Sequence, residues 1–273
     1  MLQTTSAFVD IYGVKLHYYR TGGNKPPLVL VHGITDDGLC WSPVAEVLAW
    51  NYDVIMLDMR GHGKSDAPDS GYTLKTLALE LAGLIQQLKL EKPVVLGHSM
   101  GAITTLVFAG LFPEVPGAIL LEDPPAFWIN EEKNSNNDSH NGLSAWIESN
   151  KRKTYVDLLN EAHGNDPKWS EAEIAPWIDS KHRYSIKIVD MLKSENVRNL
   201  DFQSLFHHIS CPAILFSAEG SKAAAKPADI IELKKMIPHL QEVHFDGAGH
   251  NIRREQFEKY VESVQTFLDT LLS

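Results

Sequence analysis

Residues 94–103 read VVLGHSMGAI, an apolar, β-prone run that passes directly into a serine set among glycines. Val94–Gly97 is a short continuous apolar segment of the kind seen in strands covered on both faces. Ala102–Phe112 carries a helical pattern. Between them, Gly97-His98-Ser99-Met100-Gly101 is a Gly-x-Ser-x-Gly sequence. Its glycines let strand and helix pass closely around a serine held in a strained conformation. Such a bend projects the Ser99 hydroxyl beyond the carboxyl edge of a sheet, where open α/β sheets bind ligands. It also leaves the Met100 N–H at a helix N-terminus, facing any negative oxygen that forms nearby. Ser99 is therefore a candidate nucleophile.

Working outward, short apolar runs recur at Leu28–His32, Val54–Asp58, Ala118–Glu122, Ala213–Ser217 and Glu242–Phe245. Helical patterns lie between several of them. Leu74, Leu77, Ala78, Leu81, Leu84, Ile85 and Leu88 share one helix face, with Thr73 placed as N-cap. Phe257, Val261, Val264, Leu268 and Leu271 repeat in the same way. This alternation predicts a doubly wound, mostly parallel sheet. Ala7–Tyr12 and Val14–Arg20, meeting at Gly13, predict an antiparallel hairpin at one edge.

The rhythm breaks between about residues 126 and 205, where no buried strand is evident. The polar stretch EEKNSNNDSHNG (131–142) reads as a mobile loop, and amphipathic helical pieces are expected near Leu143–Leu159 and Ile178–Leu192. Four of the six tryptophans, Trp128, Trp146, Trp169 and Trp177, fall here. The expectation is a helical cap, residues 126–205, inserted before the last two core strands of a core built from 1–125 and 206–273.

Bulk properties narrow the function classes. A chain of 273 residues, 44% hydrophobic and 22% charged, suits one large globular core. A net charge of −10 argues against a nucleic-acid backbone or an anionic membrane as the main partner. No apolar run approaches the roughly 18 residues that a membrane span requires. Cys40 and Cys211 lack metal or redox spacing and are expected to be free, buried thiols. With no signal peptide evident in MLQTTSAFVD, a cytoplasmic location is expected.

A serine hydroxyl needs a base to become a useful nucleophile. Of twelve histidines, His250 in FDGAGHNI follows the last apolar run on a glycine-rich loop that can carry its imidazole over the sheet edge. With that residue, the chain resembles the α/β-hydrolase family over nearly all of its length outside the insertion. LVLVHGITDD (28–37) is similar to the family's oxyanion loop, which implies the Ile34 N–H as a second donor beside Met100. DMRGHGKS (58–65) and GAGHNI (247–252) match two further family turns. A phosphate-loop reading of Gly63-Lys64-Ser65 fails, because position 58 holds Asp58 where that motif requires glycine.

The acid that orients His250 has two candidates. In most family members it follows the strand represented by PAILFSAEGS (212–221), at the place held here by Ser221. Others carry it after the preceding strand, where AILLEDPPAF (118–127) offers Asp123; Glu219 is the competitor. The resemblance implies a serine hydrolase acting on small esters or lactones, including acyl-homoserine lactones, without cofactor or metal, as monomer or homodimer. Trp128, close to Asp123, is a candidate substrate contact. Carbon–carbon bond hydrolysis, perhydrolase activity and a ligand receptor with a slow triad are the alternatives. Epoxide hydrolase and dehalogenase chemistry are disfavoured, because those enzymes place aspartate where Ser99 stands.

Overall fold

The computed structural model describes residues 3–129, 137–165, 168–193 and 200–271. Its frame is an eight-stranded sheet: β1 (Thr5–Ile11), β2 (Val14–Arg20), β3 (Pro27–Val31), β4 (Asp53–Asp58), β5 (Val94–His98), β6 (Ala118–Glu122), β7 (Ala213–Ala218) and β8 (Gln241–Phe245). The strand order is β1-β2-β4-β3-β5-β6-β7-β8. β1 and β2 form an antiparallel hairpin, β2 pairs antiparallel with β4, and every other pairing is parallel.

The continuous apolar runs are explained by cover on both faces. On one face Val29, Val31, Ile55, Leu57, Val95, Ile119, Leu121 and Leu215 pack against α2 (Leu74–Gln87) and α3 (Met100–Leu111). On the other, Leu28, Leu30, Val54, Met56, Leu96, Leu120 and Phe216 meet α1 (Ser42–Leu48) and the C-terminal helix Phe257–Thr270. Alternate residues of each strand serve opposite layers, as the period of two requires. The Thr73 hydroxyl accepts from the Thr76 N–H and so opens α2.

The order also fixes where a site can form. From β3 the chain moves outward to β4, then crosses back to place β5 on the other side of β3. The carboxyl ends of β3 and β5 therefore flank a topological switch point, where neighbouring connections leave in opposite directions and open a crevice. Ser99 follows β5 directly, and the 32–37 loop follows β3.

Between β6 and β7 lie α4 (Asn137–Asn150), α5 (Tyr155–Asn165), α6 (Glu171–Arg183), a 3-10 turn (Ile186–Leu192) and α7 (Phe202–His207). Three local expectations change. The piece expected over Leu143–Leu159 is split, because the Thr154 hydroxyl accepts from the Asp157 N–H while the Asp157 carboxylate accepts from the Thr154 N–H. That reciprocal pair starts a new helix. Ile178–Leu192 is likewise interrupted at Ser185, whose hydroxyl accepts from the Lys187 N–H. Of the stretch read as a loop, 137–142 belongs to α4, and 131–136 lies outside the described residues. Leu158, Ala162, Trp169, Ile174, Trp177 and Ile178 make a small apolar cluster of their own. Phe202 and Phe206 on α7 instead join the main core, so the chain is already back against α3 before residue 206.

Candidate active site

Ser99 occupies φ +52, ψ −116, a region that side chains other than glycine rarely adopt. Its surroundings hold it there. A Cβ at Gly97 would stand 2.3 Å from the Gly101 carbonyl oxygen, and one at Gly101 would stand 2.1 Å from that of Val31. Both positions are closed to any side chain, so strand and helix touch through backbone. The Ser99 N–H donates to the Glu122 carbonyl at 2.9 Å, which extends the β5–β6 ladder one residue beyond the strand.

His250 and Asp123 reach this serine from two other strand ends. His250 Nε2 lies 2.9 Å from Ser99 Oγ, and its Nδ1 lies 2.6 Å from Asp123 Oδ2. Asp123 is fully buried at φ +40, directly after β6. Its Oδ2 also accepts from the Ala224 N–H at 2.8 Å, and its Oδ1 from the Ala225 N–H at 3.1 Å. The loop that carries the acid in most family members thus supplies amide donors to an acid arriving from β6. Glu219 is not brought to the histidine. It is exposed, its N–H donates to the Ala248 carbonyl, and its carboxylate accepts from the Gly247 N–H at 2.5 Å. Its side chain braces the loop that delivers His250.

Met100 is the first residue of α3, so its N–H has no intrahelical acceptor. Among the described residues no backbone acceptor meets the Ile34 N–H either. The carbonyl of the same peptide, that of Gly33, accepts from the Asp36 N–H at 3.0 Å and lies 2.8 Å from His32 Nδ1, which fixes the orientation of the Ile34 N–H. His98, between Gly97 and Ser99, is given no chemical role by the sequence, yet it contacts His250. Burial holds its imidazole well below the ordinary histidine range, so it is neutral. Its Nε2–H donates to the His250 carbonyl at 2.9 Å, and the two rings lie 4.8 Å apart.

A cavity of about 530 Å³ opens over Ser99 and His250. Leu143, Trp146, Ala162, Trp169 and Trp177 from the insertion form its apolar wall. Trp128 does not line it: its indole N–H donates to the Asp229 carbonyl at 3.0 Å and its ring packs against Phe206. Proximity to Asp123 in sequence does not carry over, because the indole is turned toward Asp229 and Phe206.

Beneath the cavity lies a charged group that the sequence reading missed. Asp36, two residues after Ile34, accepts from Lys181 Nζ at 3.0 Å and from the guanidinium groups of Arg254 at 2.7 Å and Arg253 at 3.2 Å. Burial opposes its ionisation, yet Arg254, Lys181 and Arg253 hold its carboxyl well below the usual range. Arg253 also pairs with Glu122 at 3.0 Å, and Arg254 with Glu173 at 3.4 Å. These six buried groups join the loop bearing Ile34, the strand before Asp123, helix α6 and the helix after His250. The signal lay in the charges flanking two motifs, TDD at 35–37 and RRE at 253–255. Among the described residues, Glu219, His244 and Asp246 bring metal-type donor atoms within 4.8 Å of one another, all exposed and outside the cavity lining.

Residues 26–253 match the family model for the alpha/beta hydrolase fold, and the chain belongs to that family of hydrolases. Among curated relatives, it is 29% identical over 272 residues to N-formylmaleamate deformylase of Pseudomonas putida, covering 96% of this chain and 95% of the relative. It is 25% identical over 266 residues to 2-(acetamidomethylene)succinate hydrolase of Mesorhizobium japonicum, covering 96% and 94%. Among solved structures, the enol-lactonase of Burkholderia xenovorans LB400 shares the fold with a TM-score of 0.74 at 24% identity, covering 96% of this chain and 100% of that one.

Proposed function

We propose that this hydrolase cleaves carboxylic esters or lactones through an acyl-enzyme on Ser99. The observation that carries the reading is the continuous relay Ser99 Oγ, His250 Nε2, His250 Nδ1, Asp123 Oδ2, with separations of 2.9 and 2.6 Å. His250 takes the Ser99 proton as Oγ attacks the carbonyl carbon, and returns it to the leaving oxygen. Asp123 holds the tautomer with Nδ1 protonated, leaving Nε2 as the acceptor. The N–H groups of Ile34 and Met100 receive the oxyanion, already oriented before charge develops. Residues 126–205 act as the cap whose tryptophans select a small acyl or aromatic group. The protein works in the cytoplasm on a free small molecule.

A second reading has its own support. The two curated relatives are named for cleavage of an N-formyl and an acetamido compound. The same relay can serve a nitrogen leaving group, with His250 protonating nitrogen instead of oxygen. A panel of p-nitrophenyl esters, lactones and N-acyl amides, compared at matched acyl length, separates the two. Multiple turnover on esters or lactones with kcat/KM above that on every amide supports the first reading, and the reverse order replaces it with the second.

A further inference from the structure

A second serine–histidine–aspartate relay stands at the edge of the sheet. Ser6 on β1 and His17 on β2 lie on the same face as diagonal neighbours, since Ser6 pairs with Tyr19 and Phe8 with His17. Ser6 Oγ lies 2.6 Å from His17 Nε2, and His17 Nδ1 lies 2.8 Å from Asp58 Oδ2. His17 and Asp58 are buried, whereas Ser6 is exposed. The Asp58 carboxylate is fixed by the Gly38 N–H at 2.7 Å and the Lys64 N–H at 3.0 Å. Burial works against its ionisation, but the hydrogen bonds from His17, Lys64 and Gly38 hold its carboxyl below the usual range. It is therefore ionised near neutral pH and accepts a hydrogen bond from His17 Nδ1–H, which leaves Nε2 to accept from the Ser6 hydroxyl. The backbone of His17 is pinned as well, its N–H donating to Ser65 Oγ at 2.7 Å. Its ring is wedged between Phe8 and Tyr19 at centroid distances of 4.9 and 4.5 Å.

We propose that Ser6 is a second, activated acyl acceptor, modified once per chain by small activated acyl donors such as aryl esters. The pattern is recognised by geometry and role, and this one has the same order of contacts as the relay at Ser99. In the reaction Ser6 Oγ forms a bond to the acyl carbon, and the bond from that carbon to the aryloxy oxygen breaks. The electron pair leaves on the phenolate, while the Ser6 proton passes to His17 Nε2 and from there to the phenolate. An exposed position on an edge strand offers no enclosure for an oxyanion, so the reaction stops at single acylation of good leaving-group donors. Phe8, 57% exposed beside the His17 ring, gives an aryl group an apolar surface to rest on.

The test uses the full chain carrying Ser99→Ala and p-nitrophenyl acetate. Release of about one equivalent of p-nitrophenol without turnover is expected, with acetyl on Ser6 by peptide mass mapping. Adding Ser6→Ala should remove both. Adding His17→Gln should slow the acetylation roughly 100-fold, the lower range for a positioned general base. Because His17 is buried and its replacement can unfold the chain, Ser6→Cys gives an independent reading. Iodoacetamide should alkylate that thiol faster than it alkylates glutathione at pH 6. Acetyl spread over lysines with none on Ser6, an unchanged rate in folded His17→Gln, or a Ser6→Cys thiol no faster than glutathione would each overturn the proposal. Ser6→Ala alone should leave ester turnover at Ser99 intact, so failure at Ser6 says nothing against Ser99.

Discussion

At the scale of single residues, the division of labour between two carboxylates is the sharpest consequence of the geometry. Asp123→Asn keeps the size of the side chain but favours the wrong histidine tautomer. We expect kcat on a p-nitrophenyl ester to fall by up to about 10⁴-fold. Glu219→Gln alters the acceptor of the Gly247 N–H, away from His250, and should cost far less. A crippled Glu219→Gln beside an active Asp123→Asn would reverse the assignment. Gly101→Ala makes a different demand, since its Cβ would stand 2.1 Å from the Val31 carbonyl oxygen. The melting temperature should drop by the equivalent of about 1–3 kcal/mol or more, as overpacking between backbones cannot relax by a rotamer change. The position of Ser99 and His250 was legible in sequence because glycines mark the bend and the loop. The choice between Asp123 and Glu219 was not, because both end buried strands and only the path of the 219–225 loop decides which carboxylate faces the imidazole. Trp128 shows the same limit: its distance along the chain from Asp123 says nothing of which way its indole turns.

At the scale of elements, the buried charges explain how separate pieces keep register around the cavity. Arg253 is fully buried and serves both Glu122 and Asp36. Arg253→Met leaves Glu122 without its cation, and removing one member of a buried pair costs about 3–5 kcal/mol. Denaturant unfolding should register a loss of that order; a loss under about 1 kcal/mol would mean the pairing contributes little. The core strands could be read as continuous apolar runs, and α2, α3 and the C-terminal helix from helical patterning, whereas α1 and α7 were not foreseen. The splitting of the insertion's helices could not, because the signal is a local hydrogen-bond exchange at Thr154 and Asp157 rather than a change of period. Thr154→Ala should lower stability by about 0.5–2 kcal/mol through loss of that cap.

For the whole molecule, the same charges set a pH dependence. The Asp36 carboxyl is held well below the usual range in the folded state by Arg254, Lys181 and Arg253 against the cost of burial. Its stabilisation is therefore full above the unfolded value near about 4 and is lost as pH falls through the folded value. Glu173 works in the opposite sense, since burial raises it despite Arg254 and Arg253. The melting temperature of the native chain should therefore fall once the pH drops below about 4. In Asp36→Asn the melting temperature should start lower and fall less, and parallel curves would remove Asp36 from the account. The central claim, acyl transfer through Ser99, is tested most directly by acid-quenching the enzyme during turnover of p-nitrophenyl acetate and mapping the acetyl group. Ser99 should be acetylated within the first turnover and deacetylated at the steady-state rate, whereas any acetyl on Ser6 accumulates slowly and persists. Full turnover with Ser99 unacetylated, or in Ser99→Ala, would contradict it.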